Sequence, residues 1–311
     1  MPLDPRVKRF LDALATGKPP NALETTVEER RRGLEELMKL AGPETAVGRV
    51  EDRTLPGPAG ALGVRIYTPL DAKPTLLPGL IYFHGGGLVA GTVATHDSIG
   101  RALANSGACR VVSVDYRLAP EHPFPAALDD ALAAVSYIGA HAGEFGIDGM
   151  RLGICGDSAG GTLAAATAQA VAHIGRPRLA LQLLICPILD YSRSTGSRRD
   201  LASGYLVDQA TLDHDLLHYA PPGTDPANPR ISPLRAADVA GLPRTLVHTA
   251  EFDPLRDEGR DYVERLARAH AEVSYTCHPG MIHLFYGLGA VIPYARTAFE
   301  QIGGEIRAAL A

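Results

Sequence analysis

Two short glycine-rich stretches carry the residues best suited to chemistry. Gly156-Asp157-Ser158-Ala159-Gly160-Gly161 sets a serine among small neighbours, the Gly-x-Ser-x-Gly pattern of a strand-to-helix turn so tight that bulky flanks are excluded and the hydroxyl stands exposed above a sheet. Such a serine can attack a carbonyl carbon. His84-Gly85-Gly86-Gly87 lies upstream, and residues without a Cβ let the main chain bring N–H groups close to a reacting carbonyl oxygen. A nucleophile and a hole for its oxyanion are the two parts that acyl transfer needs.

With 33 glycines in 311 residues, a bare Gly-x-Ser-x-Gly arises by accident, so its surroundings decide its weight. A glycine turn that merely packs a helix on a strand is the competing explanation. Residues 150–155 before the serine read as a short apolar strand, and residues 162–168 after it open an alanine-rich helix, the strand, turn and helix that the motif requires. The glycine triplet also follows an apolar run, at 80–83.

A serine hydroxyl is a poor nucleophile at neutral pH; it needs a histidine to take its proton and a carboxylate to hold that imidazole in the right tautomer. In α/β-hydrolases the chain order is serine, acid, histidine. Asp253 follows the strand-like residues 245–249 and precedes Pro254, which suits the acid, although the same position suits a helix N-cap. Of eleven histidines, only His278 and His283 follow the last strand candidate. His278 adjoins that strand and is held by Pro279, so His283, beyond Gly280 in a loop, is the expected base. His84 is expected to fix the glycine loop through hydrogen bonds. His96, His122, His173, His214 and His248 are read as ordinary structural or surface residues.

These groups need a scaffold, and the pattern of the chain supplies one. Strand candidates at 80–83, 110–115, 151–155, 181–186, 245–249 and 273–277 alternate mostly with helix candidates, among them 126–138, 161–173, 257–269 and 294–310. That alternation predicts an α/β class with a mostly parallel central sheet and helices on both faces. Two strand-like segments between 50 and 67 flank Pro56-Gly57-Pro58-Ala59-Gly60, a hairpin at the sheet edge. The first forty residues read as two helices, the second opened by Thr26-x-x-Glu29, a capping box. Within it, the charged run 28–32 is read as a solvated face with i,i+4 ion pairs. Residues 190–232 break the rhythm and are long for a plain connection. The expected layout is therefore an N-terminal helical cap segment at 1–45, a first core part at 46–189, a cap insertion at 190–232 and a second core part at 233–311.

Composition excludes several classes. Net charge is −5 with both signs interspersed, so there is no basic footprint for nucleic acid. The start, Met1-Pro2-Leu3-Asp4-Pro5-Arg6, has an acid and two prolines where a signal peptide needs a basic and then an apolar stretch, which predicts a cytoplasmic protein. The longest apolar run, 179–189, is broken by Gln182 and Pro187, short of the ~20 residues that span a bilayer. Cys109, Cys155, Cys186 and Cys277 form no Cys-x-x-Cys pair and sit in or beside strand-like runs; they are expected to be buried thiols, with no metal.

From 81 to 285 the chain resembles the bacterial members of the hormone-sensitive lipase group, family IV carboxylesterases of the Gly-Asp-Ser-Ala-Gly subgroup in the α/β-hydrolase superfamily. The likeness rests on His84-Gly85-Gly86-Gly87, on the run 115–126 that opens Asp115-Tyr116-Arg117-Leu118-Ala119-Pro120, on Gly156-Asp157-Ser158-Ala159-Gly160-Gly161, on Asp253-Pro254-Leu255-Arg256-Asp257-Glu258-Gly259, and on His283 with Phe285. It implies a triad of Ser158, Asp253 and His283. It also implies an oxyanion hole of backbone N–H groups from the glycine triplet Gly85, Gly86 and Gly87, mainly the first two, with Ala159, and a lid made from the N-terminal helices and the insertion. The implied activity is hydrolysis of short- to medium-chain carboxylic esters through an acyl-enzyme, without metal or organic cofactor. The partner is then a small-molecule ester, and a homodimer is suggested by relatives that pair through sheet edges. A lipase for longer acyl chains is the nearest rival, and a ligand-binding receptor on the same fold is the rival outside catalysis. Leu88, Thr162, Cys186 and Leu284 stand where an aromatic residue, asparagine, tyrosine and glycine are common. Leu88 and Leu284 are expected beside the substrate.

Overall fold

The apolar runs form strands, and one eight-stranded sheet gathers them among the described residues, in the order β1-β2-β4-β3-β5-β6-β7-β8. The computed structural model describes residues 2–17, 22–73 and 75–311; Met1 and residues 18–21 of the expected cap segment lie outside them. The edge hairpin is β1 (Arg49–Gly57) with β2 (Gly60–Thr68). The remaining strands are β3 (Leu77–Phe83), β4 (Arg110–Asp115), β5 (Ile147–Asp157), β6 (Leu181–Ile185), β7 (Arg244–Phe252) and β8 (Val273–Ile282). β2 pairs antiparallel with β1 and β4; every other pairing is parallel. The central strands read as apolar without alternation because both faces are covered. Ile81 and Phe83 point into one buried cluster, while Leu80 and Tyr82 point into another on the opposite face.

Helices supply the two covers. The N-terminal pair is α1 (Pro5–Thr16) and α2 (Val27–Met38). Next come α3 (Asp97–Gly107), α4 (Ala126–Ala140) and α5 (Ala159–Ile174), then α6 (Gly196–Asp200) and α7 (Gln209–Tyr219) in the insertion, and finally α8 (Arg256–Arg268) and α9 (Tyr294–Ala309). Residues of α3 and α9 share one cluster with Val7, Phe10, Leu34 and Met38 from the N-terminal pair; α4, α5 and α8 belong to the other. The helix α3 has no counterpart among the expected elements. Two serines and two glycines in Asp97–Gly107 lower its intrinsic helicity, and its burial of Ile99 and Leu103 under α9 supplies what propensity does not.

The capping box forms as its spacing predicts. Glu29 N–H donates to Thr26 Oγ1 at 3.2 Å while the Glu29 carboxylate accepts from Thr26 N–H at 2.9 Å. The charged run behind it is only partly a solvated face. Arg32 pairs with Glu28 at 2.8 Å in the open, but Arg31 turns inward to Val89 O and Ala119 O at 2.9 and 3.1 Å, and Arg30 also turns inward, as described below. Helical periodicity placed these side chains on a polar face; it could not show that another part of the chain covers that face.

The insertion is bolted to the core by charge. Arg198 and Glu258, 5 % and 0 % exposed, meet at 2.6 Å, and the second Glu258 oxygen accepts from Leu189 N–H and Asp190 N–H at 2.8 and 2.9 Å. With both carboxylate oxygens hydrogen-bonded, the buried pair is tolerable; removal of either partner would strand a charge. Cys109, Cys155 and Cys186 are buried, whereas Cys277 is only half-buried, a correction to the expectation for all four. No helix among the described residues is long and apolar enough to cross a membrane.

The start of α5 has to lie against the end of β3, because that contact sets the serine turn beside the glycine loop. A Cβ at Gly160 would overlap Phe83 O and meet His84 O at 2.5 Å. Gly160→Ala should therefore destabilise the fold by about 1–3 kcal/mol through overpacking against main chain. A thermal melt unchanged from the parent would contradict this close approach.

Candidate active site

Parallel neighbours end on the same edge of a sheet, so β5, β7 and β8 deliver their following residues to one place. Ser158 is the single residue between β5 and α5, at φ 52° and ψ −123°, a strained backbone region for a residue with a Cβ. The surrounding main chain holds it there. Its N–H donates to Ile185 O at 2.9 Å, and its carbonyl accepts from Gly161 N–H and Ile188 N–H at 3.0 Å. Asp253 follows the last residue of β7 and His283 the last residue of β8.

The three side chains converge. His283 Nε2 lies 3.0 Å from Ser158 Oγ, and His283 Nδ1 lies 2.8 Å from Asp253 Oδ2. The other Asp253 oxygen accepts from Leu255 N–H at 2.8 Å, a local turn just ahead of α8, whose N-cap is Leu255 rather than Asp253. Burial disfavours the charged imidazole, but the charge and hydrogen bond of Asp253, with a further push from Asp157, outweigh it and raise the His283 pKa above 6.5. His278 is elsewhere engaged, 3.1 Å from His248 and 3.2 Å from the Tyr294 hydroxyl.

The glycine loop departs from the expected arrangement at its first residue. Gly85 N–H donates to Asp157 Oδ1 at 3.0 Å, so it is spent inside the protein rather than turned toward the site. Gly86 and Gly87 instead line the pocket, at φ 117° and 69°, and among the described residues neither of their N–H groups has a protein acceptor. Ala159, at the first position of α5, leaves its N–H unused by the helix. Among the described residues, the N–H groups beside Ser158 left without a protein acceptor are thus those of Gly86, Gly87 and Ala159.

Asp157 was visible in the motif without a role, since sequence spacing says nothing of what a fully buried carboxylate would meet. It accepts from the Tyr82 and Tyr286 hydroxyls at 2.5 and 3.1 Å as well as from Gly85. Burial pushes its pKa up against the pull of Tyr82. His84 has the expected loop-fixing contact, Nδ1 to Gly85 O at 2.7 Å, and lies in a stack between His96 and Tyr116. Burial lowers His84 to about 3 and His96 to about 4, so both are neutral rings.

A pocket of about 240 Å³ opens over Ser158. Leu34 and Leu37 of α2, Leu206 and Leu212 of the insertion, Ile188 and Leu284 provide its apolar wall. Leu284 thus lines the pocket, at φ 62°. Leu88 does not; its backbone turns at φ 64° and its side chain is wholly buried in the core behind the glycine loop. His96 and His214 are among its lining residues. Arg30 and Asp215 line it as well, and neither carried a signal in the sequence, because 185 residues separate them. Among the described residues, the one grouping of possible metal ligands is Cys186, Asp253 and His283. Its carboxylate and imidazole already bind one another, and burial with the nearby Asp253 charge pushes the Cys186 thiol well above its ordinary range, away from the thiolate that a metal needs.

Residues 80–287 match the family described as alpha/beta hydrolase fold. The chain is 40 % identical over 256 residues to a carboxylesterase of Mycobacterium tuberculosis, covering 80 % of this chain and 79 % of that one. It is 36 % identical to an arylesterase of Saccharolobus solfataricus over 92 % of this chain and 93 % of the other. In structure it is similar to an ester hydrolase from the metagenome of Lake Arreo, with a TM-score of 0.95 and 41 % identity over 98 % of each chain.

The electrostatics around His283 are open to measurement. Its ring protons, followed by NMR, should titrate above 6.5, and Asp253→Asn should bring the transition below that value, because burial is then opposed only by the weaker push of Asp157. A parent ring that titrates lower than an ordinary imidazole would contradict the balance described.

Proposed function

The chain belongs to the α/β-hydrolase-fold family and is an ester hydrolase, and from that premise we propose that it is a carboxylesterase for short- to medium-chain esters, acting through Ser158, His283 and Asp253. The observation that carries the residue roles is the line of contacts from Ser158 Oγ to His283 at 3.0 Å and on to Asp253 at 2.8 Å. Ser158 Oγ attacks the ester carbonyl carbon as His283 Nε2 takes its proton. The resulting imidazolium is stabilised by Asp253, which also holds Nδ1 as the donor and Nε2 as the acceptor. Collapse of the tetrahedral species breaks the bond to the alkoxy group, which leaves with the proton from His283. Water then repeats the sequence on the acyl-serine, and the acid departs.

The oxyanion forms twice. In this reading it is met by the N–H groups of Gly86, Gly87 and Ala159, and Gly85 acts only through its bond to Asp157. Preorganised donors of this kind are worth about 3–4 kcal/mol each where they have been removed singly. The size of the pocket supports the preference for small esters, since about 240 Å³ is below the ~300–1,000 Å³ of sites for drug-sized ligands. The mostly buried free thiols support residence in the cytoplasm, where thiols stay reduced.

Ser158→Ala should lower turnover of a short-chain nitrophenyl ester by ~10⁶ and leave the thermal melt nearly intact. Asp253→Asn should lower kcat by ~10⁴. Retention of the parent rate in the serine variant would end the assignment. Across a nitrophenyl ester series, activity should peak at short to medium acyl chains; preference for long chains at an oil–water interface would select the lipase instead.

A further inference from the structure

The pocket holds an ion pair at its inner wall. Arg30 on α2 meets Asp215 on α7 through a fork, Nε to Oδ1 at 3.2 Å and Nη2 to Oδ2 at 2.8 Å, with the two side chains 20 % and 6 % exposed. The Asp215 carboxylate is pressed directly against the glycine loop. A Cβ at Gly87 would overlap it, so only glycine fits beneath the carboxylate. His214 Nδ1 lies 3.1 Å from Asp215 Oδ1, and its Nε2 lies 3.0 Å from Thr25 O. Both partners are acceptors, so only an imidazolium donates to both; as a neutral ring His214 cannot replace the charge of Arg30.

A carboxylate at that point is in the wrong place for the chemistry unless it is neutralised. Negative charge grows on the substrate oxygen at the Gly86 and Gly87 N–H groups, and a bare Asp215 would repel it across a short, poorly screened distance or draw the Gly87 N–H to itself. We propose that Arg30 is a positioning residue for ester hydrolysis, which neutralises Asp215 and so keeps the Gly87 end of the oxyanion site available. The proposal rests on the triad and oxyanion reading above. It assigns the helix α2 a part in the chemical step, beyond that of a pocket wall.

The test uses nitrophenyl acetate, whose acyl group is too short to need the apolar wall, and is read from about pH 7 to about pH 9.5, because the hydrogen bond to Asp215 raises the His214 pKa above the ordinary imidazole value and the loss deepens as that ring becomes neutral. Arg30→Gln keeps a hydrogen-bond donor but removes the charge, and should lower kcat on the order of 100-fold with KM within a few-fold of the parent. The double variant Arg30→Gln with Asp215→Asn is an uncharged pair of nearly the same shape, and should regain most of the lost kcat. A simple tether between the two cap pieces gives no such rescue. Melting curves establish that each variant is folded, and Arg30→Ala with Arg30→Ala/Asp215→Asn provides a second pair with the same expected rescue. Parent kcat in Arg30→Gln, or a double variant no faster than the single, would overturn the proposal. An inert parent enzyme would instead overturn the functional reading beneath it.

Discussion

Everything at the site depends on how closely main chain approaches main chain where β5 turns into α5. Gly156 and Gly160 are packed so that a Cβ on either would overlap a backbone carbonyl, and Ser158 between them is forced to a positive φ. That strain persists because the turn is over-determined by hydrogen bonds, one given by Ser158 N–H to Ile185 O and two accepted by Ser158 O from Gly161 and Ile188. The same closeness brings the end of β3, and with it the glycine loop, beside the serine. Nucleophile and oxyanion donors are therefore set by one packing constraint rather than two.

Charge inside this edge is arranged so that the burial penalty on a protonated ring is outweighed at one imidazole and not at two others. His283 is flanked by Asp253 and influenced by Asp157, which together raise its pKa despite burial. His84 and His96, equally buried but stacked on each other, are driven to about 3 and 4. In the proposed mechanism the first must accept a proton and the others must keep a loop still. Asp157 serves both needs, as a carboxylate near His283 and as the acceptor that fixes Gly85 through its N–H.

The cap adds a second layer of positioning. Arg31 reaches Val89 O just after the glycine loop, and Arg30 faces Asp215 over Gly87. Leu34 packs near Gly86. The helix α2 is thus in contact with the back of the proposed oxyanion site as well as with the pocket, which joins substrate enclosure to the geometry of the donors.

Much of this was legible from local pattern. The parallel sheet, the hairpin, the capping box at Thr26, the elbow at Ser158 and the candidates Asp253 and His283 follow from periodicity, turn chemistry and chain order, since each depends on neighbours a few residues apart or on strand ends that a parallel sheet must align. Helix α3 escaped because its residues favour helix only once packed under α9. The direction of the Gly85 N–H, the burial of Leu88 and the inward turn of Arg30 and Arg31 escaped for another reason. Each is settled by contacts between residues far apart in the chain, where a one-dimensional pattern of polar and apolar residues carries no partner. By itself, the order of residues determined which groups could do acyl-transfer chemistry and on what kind of scaffold; only the folded chain decided which donors stay free, because that depends on which buried acceptors claim the rest.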